Sequence, residues 1–330
     1  MAPGPLPPLA ELRETVRVVA LPLRTRFRGV DVREALLLRG PEGWAEFSPF
    51  TEYDDAEAST WLAAAIDYAW RPQPAPRRHT VGVNATVPAV PATEVAALLS
   101  RFSGCRTAKV KVAERGQVLS DDVARVRAVR EALGAEGRVR IDANGAWNID
   151  EAERAIHALA EFDLEYAEQP CPSIDELAEL RRRVKHMGIP IAADESVRKA
   201  SDPLAVARAG AADLLVVKAQ PLGGVARALS IVAEAGLPAV VSSALDTAVG
   251  LGQGVALAAA LPELDYDCGL GTSALFAQDV AELPLSEGTV PSGRIAPEED
   301  RLTELTASAE REAWWWERLV RCHAVLAASP

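Results

Sequence analysis

Lys109 and Lys111 stand one residue apart inside the apolar run TAKVKV, residues 107–112. In a strand, residues i and i+2 point the same way, so both ammonium groups would leave one face, roughly 7 Å apart at the backbone. Like charges held that close are costly unless something opposes them. Downstream, charged residues return at the ends of apolar runs: Asp142, Glu168, Asp194 and Lys218, at intervals of 26, 26 and 24 residues. A repeat of near-constant length would put all four at one level on neighbouring strands, with the lysine pair at the equivalent place one strand earlier. Three carboxylates converging there would repel and raise one another's pKa. A hard divalent cation bound by oxygen alone, Mg²⁺ or Mn²⁺, resolves that repulsion. No His or Cys stands in the row, which disfavours zinc. An amine on each side of such an ion suits removal of a proton α to a carboxylate, the ion holding the growing enediolate charge and a lysine taking the proton. Each residue alone has an ordinary reading as a helix cap, a surface charge or an ion-pair partner. Their common register is what points to chemistry.

The elements needed to hold that register can be read from the chain. Strand-like runs occur at 80–87, 107–112, 139–145, 164–170, 189–196, 213–221, 238–247 and 267–272. Helical patterns separate them. Ser120 and Asp150 offer N-caps, Pro203 a helix start, and Gly134, Gly188 and Gly236 stops. Apolar strands followed by helices imply parallel pairing with right-handed crossovers. Eight such units close into a barrel, whose C-terminal mouth is where chemistry is done. A doubly wound sheet would want a Gly-rich phosphate turn after an early strand, and neither GxGxxG nor GxxxxGK[ST] is present. The expected organisation is an N-terminal α+β cap over residues 1–78, a (β/α) barrel over 79–275 and a C-terminal segment, 276–330, packing on barrel and cap. A hairpin turn is expected at Gly40–Gly43 and a core helix around Trp314, Trp315 and Trp316. The start, MAPGPLPPLAELRE, reads as a Pro-rich, poorly ordered leader.

Composition narrows the function. A formal charge of −12 over 330 residues argues against nucleic acid or an anionic membrane surface as partner. No apolar run approaches the length of a membrane span, and the N-terminus lacks the features of a signal peptide. Four scattered cysteines, Cys105, Cys171, Cys268 and Cys322, support neither a thiolate metal site nor a disulfide framework. A reduced, cytoplasmic protein is expected. The four histidines fall in helical patterns or near domain edges and carry structural or surface roles.

The phrases KVKV, DANGAW, EQP, ADES and VKAQPLGG, in that order, resemble the enolase superfamily, in particular its lysine–lysine branch typified by muconate-lactonising enzyme. The resemblance runs firmly over about residues 80–275. It implies an α/β fold, a modified (β/α)7β TIM-type barrel with a smaller α+β capping domain. It implies Asp142, Glu168 and Asp194 as ligands of Mg²⁺, with Mn²⁺ as a substitute, Lys111 as the base and Lys218 on the opposite face. No histidine replaces Lys218, unlike the mandelate racemase pattern. Within the branch, PLRTRFRG, GWAEFSPF followed by EY, and VVSSALDTAVGL resemble the members that dehydrate 2-succinyl-6-hydroxy-2,4-cyclohexadiene-1-carboxylate to o-succinylbenzoate for menaquinone biosynthesis. In that reading Lys109, Arg140, Ser242, Ser243, Gly269 and Leu270 surround the substrate. Arg140 would lie beneath the metal site to orient base or substrate, and the last four would lie toward the succinyl tail. The cap loop near 24–30 departs from longer-capped members. Three alternatives stay open: an N-succinylamino acid racemase exchanging a proton between Lys111 and Lys218, a dipeptide epimerase, and a non-catalytic metal-binding barrel. Epimerases carry Asp-x-Asp on the eighth strand, where this chain has Asp267-Cys268-Gly269, so that reading is disfavoured. The expected partner is a small-molecule carboxylate. Oligomeric state is open, and a monomer is compatible with it.

Overall fold

Alternation along the first two long strands explains how the chain is layered. The computed structural model describes residues 6–198 and 202–328. A short helix α1 (Leu9–Thr15) leads into an antiparallel sheet of β1 (Arg17–Phe27), β2 (Val30–Gly40) and β3 (Gly43–Phe47), followed by helix α2 (Asp55–Trp70). Neighbouring residues on β1 and β2 serve opposite faces, as period-two geometry requires. Val19, Leu21, Ala35 and Leu37 join the barrel core, whereas Val18, Leu36 and Leu38 join a second core with Trp61, Leu62 and Trp315. The Gly40–Gly43 turn forms where expected, with Gly43 at φ +129°. Asp54 caps α2, accepting from the Glu57 amide at 2.8 Å.

Strands then alternate with helices. β4 (Thr80–Gly82) and β5 (Ala85–Val87) precede α3 (Val95–Leu99), β6 (Thr107–Lys111), α4 (Leu119–Leu133), β7 (Arg138–Asp142), α5 (Ile149–Leu159), β8 (Leu164–Glu168) and α6 (Ile174–Val184). β9 (Ile191–Ala193), α7 (Glu195–Arg198), α8 (Ala205–Ala209), β10 (Leu214–Val217), α9 (Val225–Ala235), β11 (Ala239–Val241) and α10 (Ala248–Ala260) complete the series. β5 to β11 lie side by side in sequence order and all pairs are parallel. The stretch 268–269 bridges both edges, Val83 to Cys268 and Ser242 to Gly269, each in parallel sense, and so closes the ring. This is the modified (β/α)7β barrel with an α+β cap. β12 (Thr289–Pro291) runs antiparallel to β4, and α11 (Glu299–Glu304) and α12 (Ala309–Ala328) end the chain, with Trp315 fully buried against the cap. Among the described residues no helix is long and apolar enough to cross a membrane.

Several local expectations are corrected. Residues 9–15 are helical and Leu12 is buried, so the leader is in large part structure; residues 1–5 lie outside the described residues. The expected strand 80–87 is two strands with different partners. Gly82 packs so tightly on Asp267 Oδ1 that a Cβ would stand 2.3 Å from it. Ser120 lies inside α4, whose start is closed by the Asp121 carboxylate accepting from the Val118 amide. Asp150 also lies inside its helix; Asn148 and Glu151 form the reciprocal cap of α5. α8 starts at Ala205 rather than at Pro203, and residue 201, where that pattern begins, lies outside the described residues.

Candidate active site

Register in the parallel sheet does the positioning. Lys111 pairs with Asp142, Asp142 with Glu168, and Glu168 with Ala192. Asp194 follows two residues after Ala192, and Lys218 follows directly on Val217 at the end of β10. All five therefore rise to the C-terminal mouth. Asp142, Glu168, Asp194 and Lys218 are buried. Lys109 Nζ donates to Asp142 Oδ2 and to Glu168 Oε1, both at 2.9 Å. Lys218 Nζ donates to Asp194 Oδ2 at 2.5 Å. Lys111 Nζ meets Asn144 Oδ1. Asn144 also donates its amide N–H to Asp142 Oδ1 at 3.0 Å and its Nδ2 to Glu195 Oε1 at 3.2 Å.

Asn144 at φ +46° and Gln169 at φ +38°, just past the ends of β7 and β8, take the left-handed conformation. Such backbone is strained for side-chain-bearing residues and clusters at functional sites. Gln169 uses it to brace the mouth. Its Oε1 accepts from the amides of Asp194 and Ser196, at 2.9 and 3.2 Å.

The charges form one coupled set. Burial alone would raise the Asp142 carboxyl, but Lys109, Lys111 and Lys218 outweigh it and hold it well below the usual range. Burial opposes ionisation of Asp194 too, yet Lys218, Arg198 and Lys109 hold it at about 2. In Glu168 burial wins, with Asp142 and Asp194 adding repulsion, and the carboxyl is pushed up to about 7 against the pull of Lys109. Lys109 is largely withdrawn from water, which disfavours its charge, but Asp142 and Glu168 more than restore it.

A cleft opens above this set. Lys109, Asp142, Asp194, Lys218, Ser242, Ser243 and Gly269 all line it, as does Asn144. From the cap side, Phe27 and Arg28 of the β1–β2 turn reach the same cleft, with the Arg28 guanidinium 4.3 Å from the Phe50 ring centroid. Ser243 Oγ donates to Gly269 O at 2.8 Å and lies 3.0 Å from Thr272 Oγ1, so its hydroxyl is already engaged. One expected substrate contact is placed elsewhere. Leu270 is fully buried in the barrel core and packs against Gly254. Arg140 lies one layer below the site, because it sits two residues before Asp142 on the same strand face. There it pairs with Glu165, donates to Asn84 Oδ1 at 3.1 Å and Asp267 O at 2.6 Å, and lies 4.8 Å from the Tyr166 ring centroid. The shift in register between Val139 and Arg140 leaves Glu165 as the extra residue on β8, which lets it meet Arg140.

Asn144, Gln169 and Arg198 were not singled out from the sequence. Arg198 had a usable signal, since it follows Asp194 by four residues, the spacing at which helical side chains meet; its Nε donates to Asp194 Oδ1 at 3.0 Å.

The fold and the mouth together define a superfamily. Residues 92–298 match the enolase C-terminal domain-like family and residues 18–69 the enolase N-terminal domain-like family. The chain belongs to the enolase superfamily. Among its curated relatives, the o-succinylbenzoate synthase of Mycolicibacterium smegmatis is 54% identical over 324 residues, covering 97% of this chain and 99% of that one. The o-succinylbenzoate synthase of Mycobacterium ulcerans is 53% identical over 329 residues, covering 99% and 98%. Among solved structures, muconate lactonizing enzyme from Pseudomonas putida superposes with a TM-score of 0.72 at 18% identity, over 88% of this chain and 98% of that one. An N-succinyl Arg/Lys racemase from Bacillus cereus superposes with a TM-score of 0.74 at 20% identity, over 89% and 97%. These two share the fold.

Enolase-superfamily members typically use a divalent metal, and the donor set fits one. Three buried carboxylates crowd one mouth, and Glu168 Oε2 is buried without a hydrogen-bond partner. As they stand, no three acidic, His or Cys groups among the described residues are close enough to share an ion. Lys109 stands between Asp142 and Glu168 and Lys218 against Asp194, so ammonium groups supply the positive charge that the carboxylates demand.

Proposed function

We propose that the chain catalyses the syn-dehydration of 2-succinyl-6-hydroxy-2,4-cyclohexadiene-1-carboxylate to o-succinylbenzoate, with Mg²⁺ as cofactor and Asp142, Glu168 and Asp194 as its ligands. The observation that carries this reading is 53–54% identity with o-succinylbenzoate synthases across nearly the whole of both chains. When bound, the cation would neutralise the substrate carboxylate as it gains enediolate character.

The protein's own groups do the rest. Lys111 Nζ, held by Asn144 Oδ1, takes the ring proton α to the carboxylate. The C–O bond to the β-hydroxyl then breaks, and Lys111 returns its proton to the departing oxygen, which leaves as water. One lysine serving both steps makes the elimination syn. Lys218, anchored on Asp194, keeps a positive charge on the other side of the cleft. Ser242 and the Gly269 backbone would lie along the succinyl tail, and Arg28 offers the sign of charge that a second carboxylate needs. Aromatisation drives the reaction forward. Localisation in the cytoplasm goes with this reading, and all four cysteines are unpaired.

The test is direct. Purified protein with Mg²⁺ should form o-succinylbenzoate, and Lys111→Ala should lower turnover by about 10²–10⁴-fold with unchanged circular dichroism. Full activity in that variant would remove Lys111 as the base. Solvent-deuterium exchange into N-succinylamino acids, measured on the same preparation, would favour the racemase instead.

A further inference from the structure

The cap reaches the site by a second route besides the β1–β2 turn. Arg198, whose side chain is 2% exposed, forks three ways. Its Nε donates to Asp194 Oδ1 at 3.0 Å, its Nη2 to Glu195 Oε1 at 2.6 Å and its Nη1 to the Tyr53 hydroxyl at 3.1 Å. Tyr53 belongs to the cap, where its ring packs against Phe50 and Trp61 with centroids 5.6 and 6.2 Å away. On the other side, Glu195 Oε1 also accepts from Asn144 Nδ2, and Asn144 Oδ1 receives Lys111 Nζ. A continuous polar chain thus runs Tyr53, Arg198, Glu195, Asn144, Lys111, from the cap's aromatic cluster to the amine that moves the proton.

We infer that Arg198 and Glu195 are positioning residues: through Glu195 and Asn144 they tie the seating of the cap to the orientation of Lys111, and through Asp194 Oδ1 they fix which carboxylate oxygen faces the cleft. This rests on the reading of Lys111 as the base. The physical case is geometric. A lysine stem has four rotatable bonds, and its amine needs a fixed acceptor to be held within reach of one proton. Asn144 is that acceptor, and its orientation is set by what its amide nitrogen finds, which is Glu195. Glu195 in turn is held by a planar fork that lysine could not reproduce. Arg198 also satisfies Asp194 Oδ1, leaving Oδ2, the oxygen that meets Lys218, toward the cleft.

Tyr53→Phe removes the hydroxyl and keeps the aromatic packing; Arg198→Lys keeps the charge and loses the fork. Substitutions one step out from a site of this kind typically lower activity by about 10–100-fold. Arg198→Lys should lower kcat in that range with KM changed less than about two-fold, and Tyr53→Phe should do the same by a smaller factor. With substrate deuterated at the α carbon, the isotope effect on kcat should rise in both, because a misplaced base slows proton transfer itself. Tyr53→Phe and Glu195→Gln should combine less than additively, since both act through Arg198. In protein labelled with ¹⁵N-lysine, the Lys111 side-chain resonance should move in Tyr53→Phe without substrate or turnover. An unchanged resonance and isotope effect in Tyr53→Phe and Arg198→Lys, with wild-type turnover intact, would overturn the inference. Absence of wild-type turnover would sink the proposed reaction instead, and the resonance alone would then decide whether the cap sets the Lys111 amine.

Discussion

Arg140 and Lys109 share a level on adjacent strands, yet they serve different ends. Lys109 faces the cleft, whereas Arg140 is closed in beneath it with Glu165, Asn84 and the Asp267 carbonyl. Removing one member of a buried ion pair strands the other charge and costs about 3–5 kcal/mol. Arg140→Ala should therefore lower the denaturation midpoint strongly, while kcat per folded molecule, measured after titrating active sites, stays within a few-fold. A loss of kcat comparable to that of Lys111→Ala would return Arg140 to the machinery. At this scale the sequence was most informative about charges in register. Asp142, Glu168, Asp194 and Lys218 recur with the βα repeat, so period alone reveals them. Asn144 stayed hidden because its partners, Lys111 and Glu195, are brought to it by folding, and of Arg198's partners only Tyr53 is remote, Asp194 and Glu195 lying within one helical turn. Leu270 was misread for the same reason: a strand alternates faces, and only the closed ring says which residue looks inward.

Element boundaries show where local rules give out. Ser120 and Asp150 are good cap residues by type, but the true starts lie earlier because Asp121 and Glu151 reach back to the amides of Val118 and Asn148. Turn geometry was more legible: the Gly40–Gly43 hairpin needed only its glycines. Gly40 has a further duty. A Cβ there would stand 2.4 Å from the Ala69 carbonyl at the end of α2, a backbone atom that cannot swing aside. Gly40→Ala should destabilise by about 1–3 kcal/mol, read as a lower urea midpoint with the m-value unchanged. α10 carries a pH dependence. Asp279 accepts from the Ala248 amide at its start, and burial pushes the carboxyl up to about 7 from an ordinary 3.8, with those backbone bonds opposing. Between those two values the unfolded chain has lost a proton that the folded one keeps. Stability falls as pH rises through that window and is lowest above it. Asp246, raised to about 7 by burial and by Glu46, acts in the same direction. Asp279→Asn keeps an acceptor and cannot ionise, so its Tm should decline less than wild type between pH 5 and pH 8, by roughly 1–2 °C for each kcal/mol recovered. Equal declines in the two proteins would refute the assignment.

For the whole molecule, parallel strands alternating with helices made the barrel legible, because few architectures bury seven such strands. The cap was harder to read, since its core is assembled from both ends of the chain. Trp315 is fully buried against Phe47 and donates to Glu34 at 2.9 Å. Trp315→Ala should cost about 3–5 kcal/mol and reduce turnover at 37 °C more than at 15 °C, as seating of the cap weakens. Identical temperature profiles would argue that cap and barrel stabilities are independent.

The helix bearing Trp315 is synthesised long after the cap residues it covers. Residues 12–69 are made well before it and expose their apolar face until it arrives, waiting for a partner more than 240 positions downstream. The barrel's βα units can pack as they appear, so the roof of the cleft is finished only after the barrel beneath it has been made. A stalled or C-terminally clipped product would keep a nearly complete barrel under an unfinished cover, and such fragments should be sought among chaperone clients.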